Sequence, residues 1–268
     1  MLIARIGGRP VNQIFGTAIG TLIASTIVFL ILRPAITLNS ALLAAVAGMF
    51  WIIGQLGQYT GYRNIGVSKT MPISTGLQLI GTSLIGVLMF GEWPETMAKI
   101  GGALGIVLLI VGVILTSIQD HAEAGRPQNS LGTIVMLVFT TLGYLVYNTI
   151  PRALDDSGLA IFLPESLGMI LAVLVYLVVT RQGSVLKERT SWQNVLGGLV
   201  FSVAAVTYIL AVHDNGVNAA FVVSQLSVVI STLGGMIFLH ETKTRREMAY
   251  TSIGLILIVV GAIVTTVI

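Results

Sequence analysis

The residues of this sequence whose types and spacing could do chemistry are uncharged polar side chains within long apolar segments. Gln55, Gln58 and Tyr59 follow Trp51 by four, seven and eight positions, so a helix would place all four on one face. An indole ring can stack on the C–H face of a sugar while amides hydrogen-bond its hydroxyl groups, so we predict that this face binds a polar, uncharged solute. The alternative for each polar side chain is a hydrogen bond to its own helix. The further candidate substrate-binding residues are Gln78, Tyr144, Tyr208 and Gln225.

One carboxylate, Glu165, is embedded in a long apolar segment, directly after Pro164. Burial in a membrane disfavours the charged form of a carboxyl group, which makes Glu165 a candidate proton carrier. It could therefore couple the entry of a solute to the entry of a proton. The alternative is that Glu165, about 10 Å from the start of its segment at 1.5 Å per residue, stays solvated or pairs with Arg152.

Little in the sequence indicates an enzyme. It has no phosphate-binding loop, no metal-ligand cluster and no cysteine for disulfide or thiolate chemistry. The three histidines, at positions 121, 213 and 240, lie at segment ends or between segments, and we interpret them as interfacial residues. We predict no catalytic residue, no metal and no cofactor. A net charge of +3 is also too small and too dispersed to indicate nucleic-acid binding.

Composition identifies the elements that must position these residues. The chain is 55% hydrophobic and only 9% charged, with a mean hydropathy of +0.94, so it lacks the polar side chains that would cover a water-soluble globule. A membrane-spanning helix needs about 20 mostly apolar residues. We therefore predict an all-α membrane protein with nine visible spans. These spans are 11–33, 41–60, 70–90, 98–118, 131–150, 159–180, 195–212, 217–239 and 249–267.

The second half of the chain repeats the first at a nearly constant offset. Adding 149 carries Gly105 to Gly254, and the offset elsewhere stays between 148 and 150. Such a repeat, with charges moved to the opposite ends of the helices, predicts a 5+5 inverted-repeat helical bundle. Other matched pairs are Gly20 and Gly168, Arg33 and Arg181, Gly66 and Gly216, Gly112 and Gly261, and Thr116 and Thr265.

The repeat predicts ten spans in two sets of five. If the span at 131–150 opens the second repeat, its counterpart would lie before Met1. We therefore expect that the first helix, about 20 residues, is truncated from this sequence; the alternative is a genuine nine-span protein. The predicted domains are a first repeat at 1–118, a linker loop at 119–130 and a second, inverted repeat at 131–268.

Basic residues predict the orientation of the spans. Numbered from the expected first helix, the visible spans are 2 to 10. The loops that follow odd-numbered spans hold eleven of the 14 Lys and Arg residues, and the positive-inside rule places these loops in the cytoplasm. Equivalent loops of the two repeats carry opposite charge bias, as antiparallel repeats require.

Several motifs resemble a known family. The run from Gly66 to Leu79, GVSKTMPISTGLQL, is similar to the hallmark of the bacterial glucose/ribose uptake family of the drug/metabolite transporter superfamily, whose paired EamA-like repeats the glycine pattern also resembles. The shorter motifs at 10–14, 224–227 and 231–235 resemble the same family. The resemblance implies ten-span porters of Firmicute plasma membranes that import glucose or ribose with a proton. The long run resembles glucose-type members, whereas the motif at 162–164 resembles ribose-type members.

We therefore predict a bacterial plasma-membrane sugar uptake transporter, proton-coupled, that works by alternating access, with glucose preferred and ribose next. Its predicted partners are a sugar, a proton and the lipid bilayer, and the protein would be a monomer or a homodimer. One alternative is export of a small metabolite or drug, which the superfamily also includes. A membrane sugar sensor is a third possibility, but it would predict a soluble signalling appendage that the sequence does not show.

Overall fold

The computed structural model describes residues 2–89, 91, 93, 95–118, 130–152, 154, 158–238 and 243–267. Throughout these residues the regular structure is helical, which confirms the predicted all-α class. The helices are α1 (Leu2–Ile6), α2 (Pro10–Leu32), α3 (Leu38–Ile65), α4 (Val67–Met89), α5 (Thr96–Ser117), α6 (Ser130–Arg152), α7 (Gly158–Val179), α8 (Arg189–Gln193), α9 (Val195–Phe238) and α10 (Arg245–Val267), with a short 3₁₀ helix at Gly183–Lys187.

Seven described helices, α2 to α7 and α10, are long and apolar enough to cross a membrane. They match seven of the nine predicted spans. In hydrocarbon a backbone can satisfy its polar groups only internally, which is why these apolar segments form continuous helices. Even the prolines at 72 and 164 lie inside α4 and α7 rather than at their ends.

The remaining two predicted spans, 195–212 and 217–239, lie within a single helix. We predicted a break at the polar stretch around His213 to Gly216, whereas α9 runs without interruption for 44 residues. A polar stretch does not by itself end a helix, because the backbone hydrogen bonds continue through it. The structure therefore does not confirm nine separate spans.

Residues of the described chain form two compact units. The first unit consists of Thr60–Phe139 and Ala211–Ile268, and the second of Leu2–Tyr59 and Thr140–Leu210. Each unit combines segments from both predicted repeats. The division of the chain into repeats at 1–118 and 131–268 stays a prediction.

In the first unit, α5 and α10 pack antiparallel through glycines. A Cβ atom on Gly105 would collide with Thr265 and approach the Gly261 carbonyl, and one on Gly254 would collide with Thr116 and the Gly112 carbonyl. The offset of 149 converts the first set of contacts into the second. Such reciprocal contacts are the signature of a local twofold relation, and the small residues let the two backbones approach closely.

In the second unit, glycines again fix how the helices pack. A Cβ atom on Gly20 of α2 would collide with the Val195 carbonyl of α9, and one on Gly168 of α7 would collide with the Ala45 carbonyl of α3. Offsets of 148 and 150 relate these two contacts. Gly198 approaches the carbonyl of residue 17, and Gly48 approaches the carbonyl of residue 165. The same two offsets relate this second pair of contacts. The α2–α9 and α3–α7 contacts are thus equivalent.

Two helix ends repeat the same pattern. Arg33 follows α2 with φ of 44°, and Arg181 follows α7 with φ of 54°, so both have the left-handed backbone that often ends a helix. These arginines are a matched pair at an offset of 148. The two matched arginines therefore share the same local backbone conformation.

Candidate functional site

The predicted polar face of α3 is buried in the second unit. Gln55, Gln58 and Tyr59 have exposures of 7%, 8% and 4%, and Trp51 has 2%. Since Tyr59 is the last residue of its segment of this unit, all four residues lie on the part of α3 that belongs to it. Their common burial agrees with the spacing of four, seven and eight positions that predicts a single face.

Glycines on α3 and α6 bring a tyrosine onto this face. A Cβ atom on Gly54 would collide with the ring of Tyr144, and one on Gly143 would collide with the Phe50 carbonyl. Because neither glycine carries a side chain, the helices approach closely enough for Tyr144 to reach across α3. Tyr144, predicted as a candidate from its residue type, is itself buried, with 6% exposure.

Hydrogen bonds join these residues into a buried group. The Tyr144 hydroxyl lies 2.7 Å from Oε1 of Gln55 and 3.0 Å from Oε1 of Gln58, and Gln55 Nε2 donates to Gln58 Oε1 at 3.2 Å. The single hydroxyl proton can serve only one of the two oxygens at a time. We call Gln55, Gln58, Tyr59, Tyr144 and Thr17 the amide–tyrosine cluster.

Thr17 of α2 completes the cluster. Its Oγ1 lies 2.8 Å from the Tyr59 hydroxyl, within hydrogen-bond distance, and donates to the Gln13 carbonyl at 2.9 Å. Thr17 was not among the site residues predicted from the sequence. The signal that could have found it is a stripe on α2 in which Gln13, Thr17, Thr21 and Ser25 recur every four residues and are all buried.

An aromatic pair lies one helical turn from Gln55. The rings of Trp51 and Phe201 have centroids 5.5 Å apart and are tilted by 42°. Because Trp51 precedes Gln55 by four positions, the indole and the amide project from the same face of α3. A flat apolar surface therefore lies beside uncharged donors and acceptors.

Glu165 is also buried in the second unit, with 6% exposure. The Tyr147 hydroxyl of α6 donates to Glu165 Oε2 at 3.2 Å. In the described part of the chain no cation forms an ion pair with Glu165, and the side chain of Arg152, the alternative partner, lies outside that part. Next to it, Ser166 and Ser25 form a hydrogen bond of 2.5 Å between their hydroxyls.

Of the other predicted substrate-binding residues, Gln78 is the one whose side chain the structure describes. Gln78 belongs to the first unit, where its Nε2 donates to the Ser74 carbonyl and to Ser74 Oγ, both at 3.3 Å. Gln78 therefore bonds to its own helix, which was the alternative to a role in substrate binding. Tyr208 and Gln225 lie within α9, but their side chains are outside the described residues. The described residues also contain no group of His, Asp and Glu that could hold a metal ion.

Apolar helices that bury uncharged polar groups and the carboxylates of Glu165 and Glu247 define a polytopic helical membrane protein. The model of the family described as "Sugar transport protein" matches residues 1–268, so the chain belongs to that family. Its family and the seven apolar helices among the described residues make it a multi-pass protein of the bacterial plasma membrane.

Relatives of the chain are named for sugar uptake. A "Putative sugar uptake protein" of Lactobacillus johnsonii is 50% identical over 99% of this chain and 93% of the relative. The "Glucose uptake protein GlcU" of Bacillus subtilis is 38% identical over 97% of this chain and 90% of the relative. A "Putative ribose uptake protein RbsU" of Staphylococcus epidermidis is 36% identical over 98% of this chain and 91% of the relative. The resemblance noted from the sequence motifs is thus confirmed.

Proposed function

We propose that this protein imports a monosaccharide, glucose in preference to ribose, together with a proton, by alternating access between the two faces of the membrane. The observation that carries the proposal is the amide–tyrosine cluster, which has no net charge and lies beside the buried indole of Trp51. Names of relatives support both sugars, since one is called a glucose uptake protein and another a ribose uptake protein.

The chemistry of the cluster suits a sugar. Each glutamine amide offers two donors and two acceptor sites, and each sugar hydroxyl both donates and accepts. In the absence of sugar, the Tyr144 hydroxyl donates to Gln55 Oε1 or Gln58 Oε1 and Gln55 Nε2 donates to Gln58 Oε1, so both buried oxygens stay satisfied. A bound sugar would take over these hydrogen bonds, and the Trp51 ring would cover one of its C–H faces.

Glu165 is the proposed proton carrier. The Tyr147 hydroxyl, which now donates to Oε2, would stabilise the ionised carboxylate. A proton from outside would neutralise the Glu165 carboxylate. After the conformational change, Glu165 would release this proton on the inside. Because an isolated charge in the membrane interior is costly, the neutral form is suited to the conformational change.

Alternating access would use the inverted repeat. The equivalent α2–α9 and α3–α7 contacts, and the reciprocal contacts of α5 with α10, support a 5+5 inverted arrangement of the chain. In such transporters the outward-open and inward-open states arise when the two repeats exchange conformations. Whether the protein acts as a monomer or a homodimer does not enter this mechanism, because two repeats can enclose one substrate path.

Uptake into proteoliposomes tests the proposal. The purified protein would be reconstituted and given radiolabelled glucose or ribose, with and without an inward proton gradient. We expect uptake of glucose above ribose, increased by the gradient and competed by unlabelled glucose. Uptake that the gradient does not change would remove proton coupling. A folded preparation that takes up neither sugar would contradict sugar import and favour metabolite or drug export.

A further inference from the structure

A shallow groove of about 610 Å³ opens on the surface of the second unit. One side chain comes from α1, two come from α8 and three come from the first turns of α9. Five of the six are apolar, and Trp192 and Leu196 are about half exposed, at 53% and 51%. The lining residues are Ile6, Trp192, Gln193, Val195, Leu196 and Leu199.

Packing gives the groove a defined shape. A Cβ atom on Gly197 would collide with the side chain of Ile3, so α1 lies directly against α9. On the other side, Trp192 Nε1 donates to the Leu186 carbonyl at 2.9 Å, and its ring meets Phe15 edge-on with centroids 5.6 Å apart. The indole wall is therefore held by two contacts although half of it is exposed.

Three exposed cations are close in sequence to residues that line or hold this groove. Arg5 directly precedes Ile6, Lys187 directly follows the residue whose carbonyl holds Trp192, and Arg189 lies one turn before Gln193 on α8. Among the described residues none of these three forms an ion pair with a carboxylate. The rim of the groove is therefore net positive.

We propose that this groove binds an anionic glycerophospholipid of the cytoplasmic leaflet. An acyl chain would lie in the apolar groove, and the phosphate would be held by Arg5, Lys187 and Arg189. A guanidinium group can bind a phosphate through two parallel hydrogen bonds. Basic pockets at the cytoplasmic ends of membrane helices recognise anionic head groups. The charge distribution of the whole chain predicts that this end lies in the cytoplasm, and a half-exposed tryptophan is typical of the head-group level.

Tryptophan fluorescence can test the site directly, because the chain has only three tryptophans. In a variant with Trp51→Phe and Trp93→Phe, Trp192 is the only emitter. The full chain would be reconstituted with phosphatidylcholine or phosphatidylglycerol that carries bromine on the acyl chains, which quenches a tryptophan in contact with it. We expect stronger quenching by brominated phosphatidylglycerol at equal mole fraction. The double variant Arg5→Gln, Arg189→Gln should lower this selectivity by about fivefold for each cation removed.

Matched controls separate a specific site from general membrane charge. Arg33→Gln removes a cation that the charge distribution assigns to the opposite face, and it should leave the selectivity unchanged. A chain in which buried Trp51 is the only tryptophan should show no preference between the lipids. Equal quenching of Trp192 by both lipids, or selectivity that survives the double variant, would overturn the proposal. Weak quenching that rises as the protein is diluted in lipid would also overturn it, because a second copy would then cover the groove. None of these outcomes depends on which solute the protein carries.

Discussion

The hydroxyl of Tyr144 lies 2.7 Å from Oε1 of Gln55, which joins α6 to the polar face of α3 inside the second unit. The same hydroxyl also lies 3.0 Å from Gln58. The hydroxyl proton can reach only one of these two oxygens at a time. The hydroxyl can therefore exchange between Gln55 and Gln58, and the buried amides do not depend on one fixed hydrogen bond. A sugar hydroxyl could take the place of the tyrosine at low cost.

Gln55→Leu should weaken sugar binding while the protein still folds. Leucine has a similar volume, but it removes an amide donor and acceptor from the proposed site. Loss of hydrogen bonds that water cannot replace in a closed site corresponds to about 10- to 100-fold in affinity. Equilibrium binding of labelled sugar to purified protein measures this change.

Tyr144→Phe is the matched control for the cluster. It keeps the ring packed on Gly54 and removes only the hydroxyl that occupies the two amide oxygens. Because a bound sugar is proposed to take over the hydrogen bonds of this hydroxyl, affinity should fall much less than in Gln55→Leu. Unchanged binding in Gln55→Leu would exclude Gln55 from the sugar site.

Glu165→Gln should separate exchange from accumulation. The neutral amide preserves size and hydrogen bonding but cannot carry a proton. We expect no accumulation driven by a proton gradient, while counterflow of labelled against unlabelled sugar continues. Both assays use the same proteoliposomes, so lost counterflow would indicate a folding or binding defect. Normal accumulation by the variant would rule out Glu165 as the coupling residue.

Equivalent glycines should have equivalent effects on stability. Gly20→Ala and Gly168→Ala each drive a methyl group into a backbone carbonyl of the facing helix, and overpacking of this kind costs about 1–3 kcal/mol. We expect both variants to lower the melting temperature in detergent by similar amounts. Gly183→Ala is the control, because its added Cβ atom meets nothing within 4 Å. A strongly unequal effect of the first two would contradict the equivalence of these contacts.

Arg33 and Arg181 should lie on opposite faces of the membrane. The chain has no cysteine, so Arg33→Cys and Arg181→Cys each introduce a single reactive thiol. In intact cells a membrane-impermeant maleimide should label Arg33→Cys, and it should label Arg181→Cys only after permeabilisation. The two positions are equivalent in the predicted repeats, so labelling from the same side would exclude the inverted topology.

Glu188 should stabilise the protein only above acid pH. The hydrogen bond from Asn12 lowers the pKa of Glu188 below its ordinary value of 4.5; removal from water opposes this shift, and Ser184 and Arg9 add to it. A lowered folded-state pKa contributes stability above the unfolded value, and this contribution is lost as the pH falls through the folded value.

Glu188→Gln should accordingly melt at a lower temperature than the parent at pH 7. The difference in melting temperature should shrink as the pH falls below 4.5. It should be small at a pH where Glu188 of the parent is protonated in both the folded and the unfolded state. Glu95→Gln is the control, since Glu95 at the start of α5 makes no capping hydrogen bond with its side chain. A difference between parent and variant that does not depend on pH would contradict the predicted role of the charge.

The helices and the buried face of α3 could be predicted because both follow from periodicity. Apolar length alone identifies seven of the spans, and the spacing of Trp51, Gln55 and Gln58 places them together without knowledge of their neighbours. The continuity of α9 could not be predicted in this way. Gly66 ends α3 with φ of 83°, whereas its counterpart Gly216 lies inside α9, and sequence alone does not distinguish the two glycines.

Partners across helices were harder to predict than positions on one helix. Tyr144 was a candidate, but its bond to Gln55 depends on how closely Gly54 and Gly143 let α3 and α6 approach. Thr17 was missed because a threonine in a helix usually bonds to its own backbone, and Thr17 does donate to Gln13. Its second bond, to Tyr59, follows only from the packing of α2.

Gly66 is the whole connection between α3 and α4. The two helices fold back on each other there, since a Cβ atom on Gly61 would collide with Thr70. A connection of one residue lets the two helices move independently only by rotation about the backbone bonds of that residue. If α4 tilts during a transport cycle, no loop between the helices can absorb the movement. The backbone of Gly66 must then rotate, or α3, the helix that carries Gln55, must move with α4.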